Sequence, residues 1–192
     1  MSATPFNTAP TPVGPWVLPG RYTARLTVEG KAYAQSFRVK LDPRIRTTLP
    51  ALRQQYALSL AMYDGLRAAR DAQDQVRDAR SALAARAAQA DVPGRARIDS
   101  LDRELVALSG APGGGRGGGR GGVPRPATPT FGTVAGQLSN VLGLLQDSDM
   151  PPTITTAGAA RQASADLSAL LLRWKALRAR LPGLRPAVPG RT

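Results

Sequence analysis

Two arginines four positions apart, Arg116 and Arg120, lie in the run Gly113-Gly114-Gly115-Arg116-Gly117-Gly118-Gly119-Arg120-Gly121-Gly122. Guanidinium groups on such a backbone can neutralise phosphates and stack on bases, the chemistry of an RNA-contacting box. The run holds no interleaved Phe or Tyr, however, and helical patterns flank it. A flexible linker between two helices is the favoured reading. No strand pattern precedes its Gly-x-Gly and no Gly-Lys-Ser/Thr follows, so a phosphate-cradling loop is rejected. A second basic group, Arg173, Lys175, Arg178 and Arg180, falls opposite a Leu/Trp stripe on a helical pattern. It suits an anionic surface or acidic partner. The plainer reading, a solvated face near a helix C-terminus, is preferred. Trp174 falls in the apolar register and reads as a core anchor.

Asp147 and Asp149 flank Ser148 beside Pro151-Pro152. General acid/base work needs a concave site with separated pKa values, and a calcium ion needs six to eight oxygens. A loop at a helix end supplies neither. Loop or capping roles are expected for both acids. The chain contains no His and no Cys. That removes Ser–His and Cys–His nucleophile pairs, disulfides, and thiolate-ligated zinc or iron–sulfur clusters. No catalytic constellation, metal site or cofactor is expected.

The 192 residues carry 26 Lys+Arg against 13 Asp+Glu, for a net charge of +13. A basic balance ordinarily suggests nucleic acid or an anionic membrane surface. Here the bases are 23 Arg to 3 Lys amid abundant Ala, Gly and Pro, a bias that a GC-rich genome also produces. The charge alone therefore names no partner. No stretch reaches roughly 18 uninterrupted apolar residues, so no transmembrane segment is expected. The start, Met-Ser-Ala-Thr-Pro-Phe-Asn-Thr, has neither a basic leader nor an apolar h-region, so no signal peptide is expected.

The elements that would position these groups follow from periodicity. Residues 1–20 are Pro-rich and irregular. In residues 21–46 the period becomes two: Tyr22, Ala24, Leu26 and Val28, a turn at Glu29-Gly30-Lys31, then Phe37, Val39 and Leu41. This predicts a β-hairpin ended by Asp42-Pro43-Arg44. Residues 47–110 predict a helical hairpin. Its first helix starts at Thr47 or Thr48 with Pro50 in the first turn, and is striped by Leu52, Tyr56, Leu60, Tyr63 and Leu66. Unbroken to Ala90 it would hold roughly 44 residues and run about 66 Å. Gly65 is a candidate bend, and Arg67–Asp71 and Arg70–Asp74 are candidate ion pairs. Asp91-Val92-Pro93-Gly94 stops it, and a second helix over 95–109 carries Ile98, Leu101, Leu105 and Leu108. After the Gly/Arg/Pro-rich linker 111–130, residues 131–181 predict two more helices, near 131–146 and 156–181. A disordered tail, 182–192, follows.

The expected fold is mainly α: an N-terminal β-hairpin, then an antiparallel helical bundle with a long first helix. Helices two and three would lie end to end along helix one, with helix four completing the bundle. The hairpin poses an accounting problem. Two strands are marginal in water, with one apolar face and two open edges. Either the hairpin packs on the helices, or its partner strands lie on chain that is missing; the second is favoured.

The segment Pro19-Gly20-Arg21-Tyr22-Thr23-Ala24-Arg25-Leu26-Thr27-Val28-Glu29-Gly30, then Gln35-Ser36-Phe37-Arg38-Val39-Lys40 and Asp42-Pro43-Arg44, resembles the final Ig-like strands of a bacterial family. The likeness resumes at Gln137-Leu138-Ser139-Asn140, Leu144-Leu145-Gln146-Asp147-Ser148-Asp149, Pro152-Thr153 and the Leu170–Leu177 helix. That family comprises large secreted proteins with BNR/sortilin-like β-propeller repeats, often named glycosyl hydrolases. The resemblance covers most of residues 15–181 and implies an Ig-like hairpin, an exported parent and a propeller absent from this chain. No catalytic residue can be carried over. The expected function is a non-catalytic C-terminal accessory or scaffold region that contacts protein, with the missing propeller or Ig-like strands as partner. The alternative is an Arg-rich nucleic-acid or anionic-surface binder using Arg116, Arg120 and the four bases from Arg173 to Arg180.

Overall fold

The computed structural model describes residues 14–110 and 128–181. It contains a two-stranded antiparallel hairpin, β1 (Gly20–Val28) and β2 (Lys31–Val39), followed by four helices: α1 (Leu49–Ala87), α2 (Val92–Ser109), α3 (Phe131–Leu145) and α4 (Ile154–Ala179). The fold is mainly helical, a hairpin followed by a bundle. Arg116 and Arg120, residues 111–127 of the linker expected at 111–130, and the tail expected at 182–192 lie outside the described residues.

The hairpin turns through two residues rather than three. Glu29 and Gly30 both have positive φ, 48° and 77°, while Lys31 already pairs with Val28. Two left-handed residues in succession give the turn a twist that matches the strands. The register puts Tyr22 opposite Phe37 and Leu26 opposite Tyr33, so the apolar residues of both strands share one face. The other face carries Arg21, Thr23, Arg25 and Thr27 opposite Arg38, Ser36, Ala34 and Ala32.

α1 has 39 residues with Pro50 in its first turn and runs about 58 Å. It is one uninterrupted helix through Gly65. A Cβ there would lie 3.2 Å from a Leu167 methyl and 3.4 Å from a Leu138 methyl. Gly65 lets α3 and α4 approach α1 closely. The buried stripe of α1 is Leu52, Gln55, Ser59, Met62, Leu66, Ala69, Ala72, Val76, Ala79 and Leu83. Leu60, expected in the stripe, is exposed, and Tyr56 and Tyr63 are only partly buried. The true stripe passes through two polar residues and so is disguised. The expected Arg67–Asp71 and Arg70–Asp74 pairs do not form. Asp74 pairs with Arg77 at 2.9 Å instead. A base placed N-terminal to its acid is the poorer orientation on a helix.

α1 ends at Ala87, before the expected Ala90, and Asp91 starts α2: its carboxylate accepts from the Gly94 backbone N–H, with Pro93 in the first turn. Helix two therefore begins at Val92, earlier than its apolar stripe suggested. α3 opens with a capping box in which Thr130 and Thr133 exchange side-chain and backbone hydrogen bonds. α4 opens at Thr153, whose hydroxyl accepts from the Thr156 N–H at 3.0 Å.

The side-chain contacts fix the arrangement. Arg95 of α2 reaches the Ala87 carbonyl at the end of α1, and Ser109 lies beside Gly132, close to Gln73. Gln55, near the start of α1, reaches the end of α3. α2 and α3 thus lie end to end, antiparallel to α1. α4 runs parallel to α1, with Leu167 at Gly65 and Trp174 at Gln75. One apolar core, including Met62, Leu105, Phe131, Leu138, Leu170 and Trp174, joins all four helices.

Candidate functional site

The face of β1 and β2 that the period-two pattern makes apolar is uncovered. Leu26 is 63% exposed, Tyr33 53%, Phe37 50% and Val28 48%. Tyr22 and Phe37 stack across the strands with ring centroids 6.1 Å apart, and the Tyr22 hydroxyl donates to the Leu18 carbonyl at 2.6 Å. These contacts stiffen the base of the hairpin and leave its outer two-thirds bare. No helix packs on either strand. The same face also carries Gln35, opposite Ala24, and Lys31, opposite Val28. Exposed aromatic and branched side chains grouped on one sheet face are the usual mark of an interaction surface. The opposite face carries Arg21 directly across from Arg38, with a Thr23–Ser36 hydroxyl contact of 3.2 Å next along. Its arginines make no ion pair among the described residues.

The hairpin joins the bundle through the chain segments at its base. The Trp16 N–H donates to the Gln146 side chain at 2.7 Å, and the Thr47 hydroxyl donates to the Asp149 carbonyl. Gln55, 8% exposed, donates to the Leu145 carbonyl and, at 2.8 Å, to the Ser148 carbonyl. The last turn of α3 leaves carbonyls without helical partners, and a side chain from α1 supplies the donor. Residues 145–149 are therefore a structural hub, in keeping with the loop role expected of Asp147 and Asp149. A cavity of about 180 Å³ lies here, between Trp16–Pro19, Val39–Asp42 and the paired ends of α1 and α3. It is smaller than the usual small-molecule pocket of about 300–1,000 Å³.

A larger open groove, about 1070 Å³, runs between α1 and α2. Four of its five charged side chains, all but Asp99, pair with one another. Arg80 grips Asp102 at 2.7 Å and 3.2 Å, and Arg77 holds Asp74. The Asp102 carboxylate holds the Arg80 guanidinium above its ordinary pKa through their hydrogen bond. At one end Gly110 and Thr130 touch: a Cβ on Gly110 would lie 2.8 Å from the Thr130 hydroxyl. α2 thus ends where α3 begins. Among the described residues no three acids converge as metal ligands. None of the described helices is long and apolar enough to cross a membrane.

The four bases, three on α4 and Arg180 at its C-cap, do not share one face. Arg173 and Arg180, seven residues apart, fall on one side of the buried stripe; Arg178 falls on the other, with Lys175 beyond it. Arg180 forms a two-pronged pair with Glu104 of α2 at 2.6 and 2.9 Å, lowering the Glu104 pKa chiefly through that hydrogen bond. Arg178 reaches the Gln75 side chain of α1 at 3.4 Å, next to the Trp174 indole at 3.2 Å. The side chains of Arg173 and Lys175 make no hydrogen bond or ion pair among the described residues. Two of the four bases are thus spent tying α4 to its neighbours.

Sequence reasoning found the hairpin face, the Trp174 anchor and the α2, α3 and α4 stripes. It missed Gln55, Ser59 and Gln75. Gln55 and Ser59 carried a usable signal: they continue a three-four spacing from Leu52 to Met62. Comparison with family models, with curated proteins and with solved structures found no match to this chain.

Proposed function

We propose that this chain is a non-catalytic accessory region of a BNR-repeat propeller protein, acting as a scaffold that contacts protein. The observation that carries this reading is the division of the molecule into a bundle with a continuous apolar core and a hairpin whose apolar face is left open. The bundle's buried polar residues are Gln55 and Ser59, and Gln55 is engaged in holding the end of α3. Such a bundle is a rigid mount, and the hairpin is the part that presents itself. The order of hairpin, long helix, Asp-Ser-Asp loop and Trp-bearing helix supports the propeller family as the setting, and with it an exported parent.

The genomic DNA upstream of the Met1 codon provides the direct test. In-frame propeller repeats running into residue 1 are the expected result. An in-frame stop codon behind a strong ribosome-binding site sinks the proposal. Salt-dependent retention of RNA, abolished by Arg116→Ala with Arg120→Ala, would favour an anion binder instead.

A further inference from the structure

We propose that the hairpin is an interaction surface for a β-sheet of another polypeptide segment, which packs on its apolar face and pairs with a free edge. This inference rests on the protein-contact reading above and specifies its surface and its partner. Val28 and Lys31 flank a two-residue turn and so exchange hydrogen bonds. Alternation then turns the N–H and C=O groups of Arg21, Thr23, Arg25 and Thr27 outward from β1, and those of Ala32, Ala34, Ser36 and Arg38 outward from β2. Neither strand contains Pro, and neither edge pairs with another strand among the described residues. Such edges are templates for a further strand.

Size decides the kind of occupant. Two nine-residue strands offer a face of about 30 by 10 Å. A second hairpin laid on it would bury about 600 Å² in total, half of the ~1,200 Å² at which stable interfaces begin. Edge-to-edge pairing of two copies would extend the sheet yet leave its apolar face open. A partner that brings several strands of its own covers both the face and an edge. The polarity of docking is also fixed. The Tyr22/Leu26/Val28/Tyr33/Phe37 face points inward, and the Arg21/Arg25/Arg38 face stays in water, as in one layer of a sandwich.

The test uses the full chain in its native cell, with the photo-crosslinker p-benzoylphenylalanine replacing Leu26, Phe37 or, on the polar face, Thr23. All three positions are exposed, so the bundle folds in each variant. Crosslinked peptides are mapped by mass spectrometry. Hairpin amide exchange is compared between the isolated chain and the recovered complex. The inference requires crosslinks from positions 26 and 37 to strand residues of a partner sheet, and few from position 23. It also requires hairpin exchange slowed on the order of a hundredfold on docking. Crosslinks into a second copy or into this chain's own helices, equal crosslinking from position 23, or no crosslink overturn it. A partner sheet from a protein without a propeller would defeat the family reading while leaving this inference standing.

Discussion

At the scale of the residue, two positions on α1 hold more of the bundle together than their types suggest. Gln55 gives its amide protons to the carbonyls of Leu145 and Ser148, so Gln55→Ala leaves buried acceptors without a donor. A loss of about 1–3 kcal/mol in urea-unfolding stability is expected. Gly65 sits where a side chain would press on Leu138 and Leu167. Gly65→Val should cost about 1–3 kcal/mol through overpacking, despite removing a helix glycine. The partners of both positions were hidden in the sequence. Glutamine reads as surface and a mid-helix glycine as a bend, until facing helices show what each one meets. By contrast Trp174 and Leu170 were legible at once, because a large apolar side chain at helical spacing has few other places to go.

At the scale of the element, the hairpin is limited by its turn. Glu29 occupies a left-handed conformation that a residue with a long side chain adopts at a cost of about 1–2 kcal/mol. Glu29→Asn should relieve part of that cost, and slower amide exchange at Leu26 and Tyr33 measured by NMR would register it. The helix ends behave likewise. Thr153 and Asp91 cap α4 and α2, so these helices start at Ile154 and Val92, two and three residues before the starts expected near 156 and 95. Element type was readable from period two against period 3.6. The boundaries were not, because a first turn is fixed by capping hydrogen bonds rather than by burial.

At the scale of the whole molecule, no helix packs on the strands of the hairpin, which meets the bundle through its flanking segments. Leu26→Lys with Phe37→Lys should leave the thermal unfolding of the bundle unchanged to within about 0.5 kcal/mol, since neither side chain enters the core. A large drop in melting temperature would mean that the helices depend on the hairpin face. The α4–α2 tie has a defined pH response. The Arg180 guanidinium holds Glu104 below the usual glutamate value, so the folded state binds that proton less readily than the unfolded chain. The contribution is present above the unfolded value and is lost as pH falls through the lowered one. The stability difference between wild type and Glu104→Gln should therefore shrink as pH falls from the usual glutamate value through the lowered one, as followed by acid titration.

Composition and periodicity alone determined the mainly helical fold, the hairpin with one apolar side, and the stripes of α2, α3 and α4. These depend on short-range alternation between residues that favour water and those that do not. Only the tertiary structure decided that Gln55 holds the end of α3, that Gly65 is a contact point, and that the α4 bases part around their stripe. Each of those depends on what stands opposite, and a linear pattern carries no record of the neighbour across a helix interface.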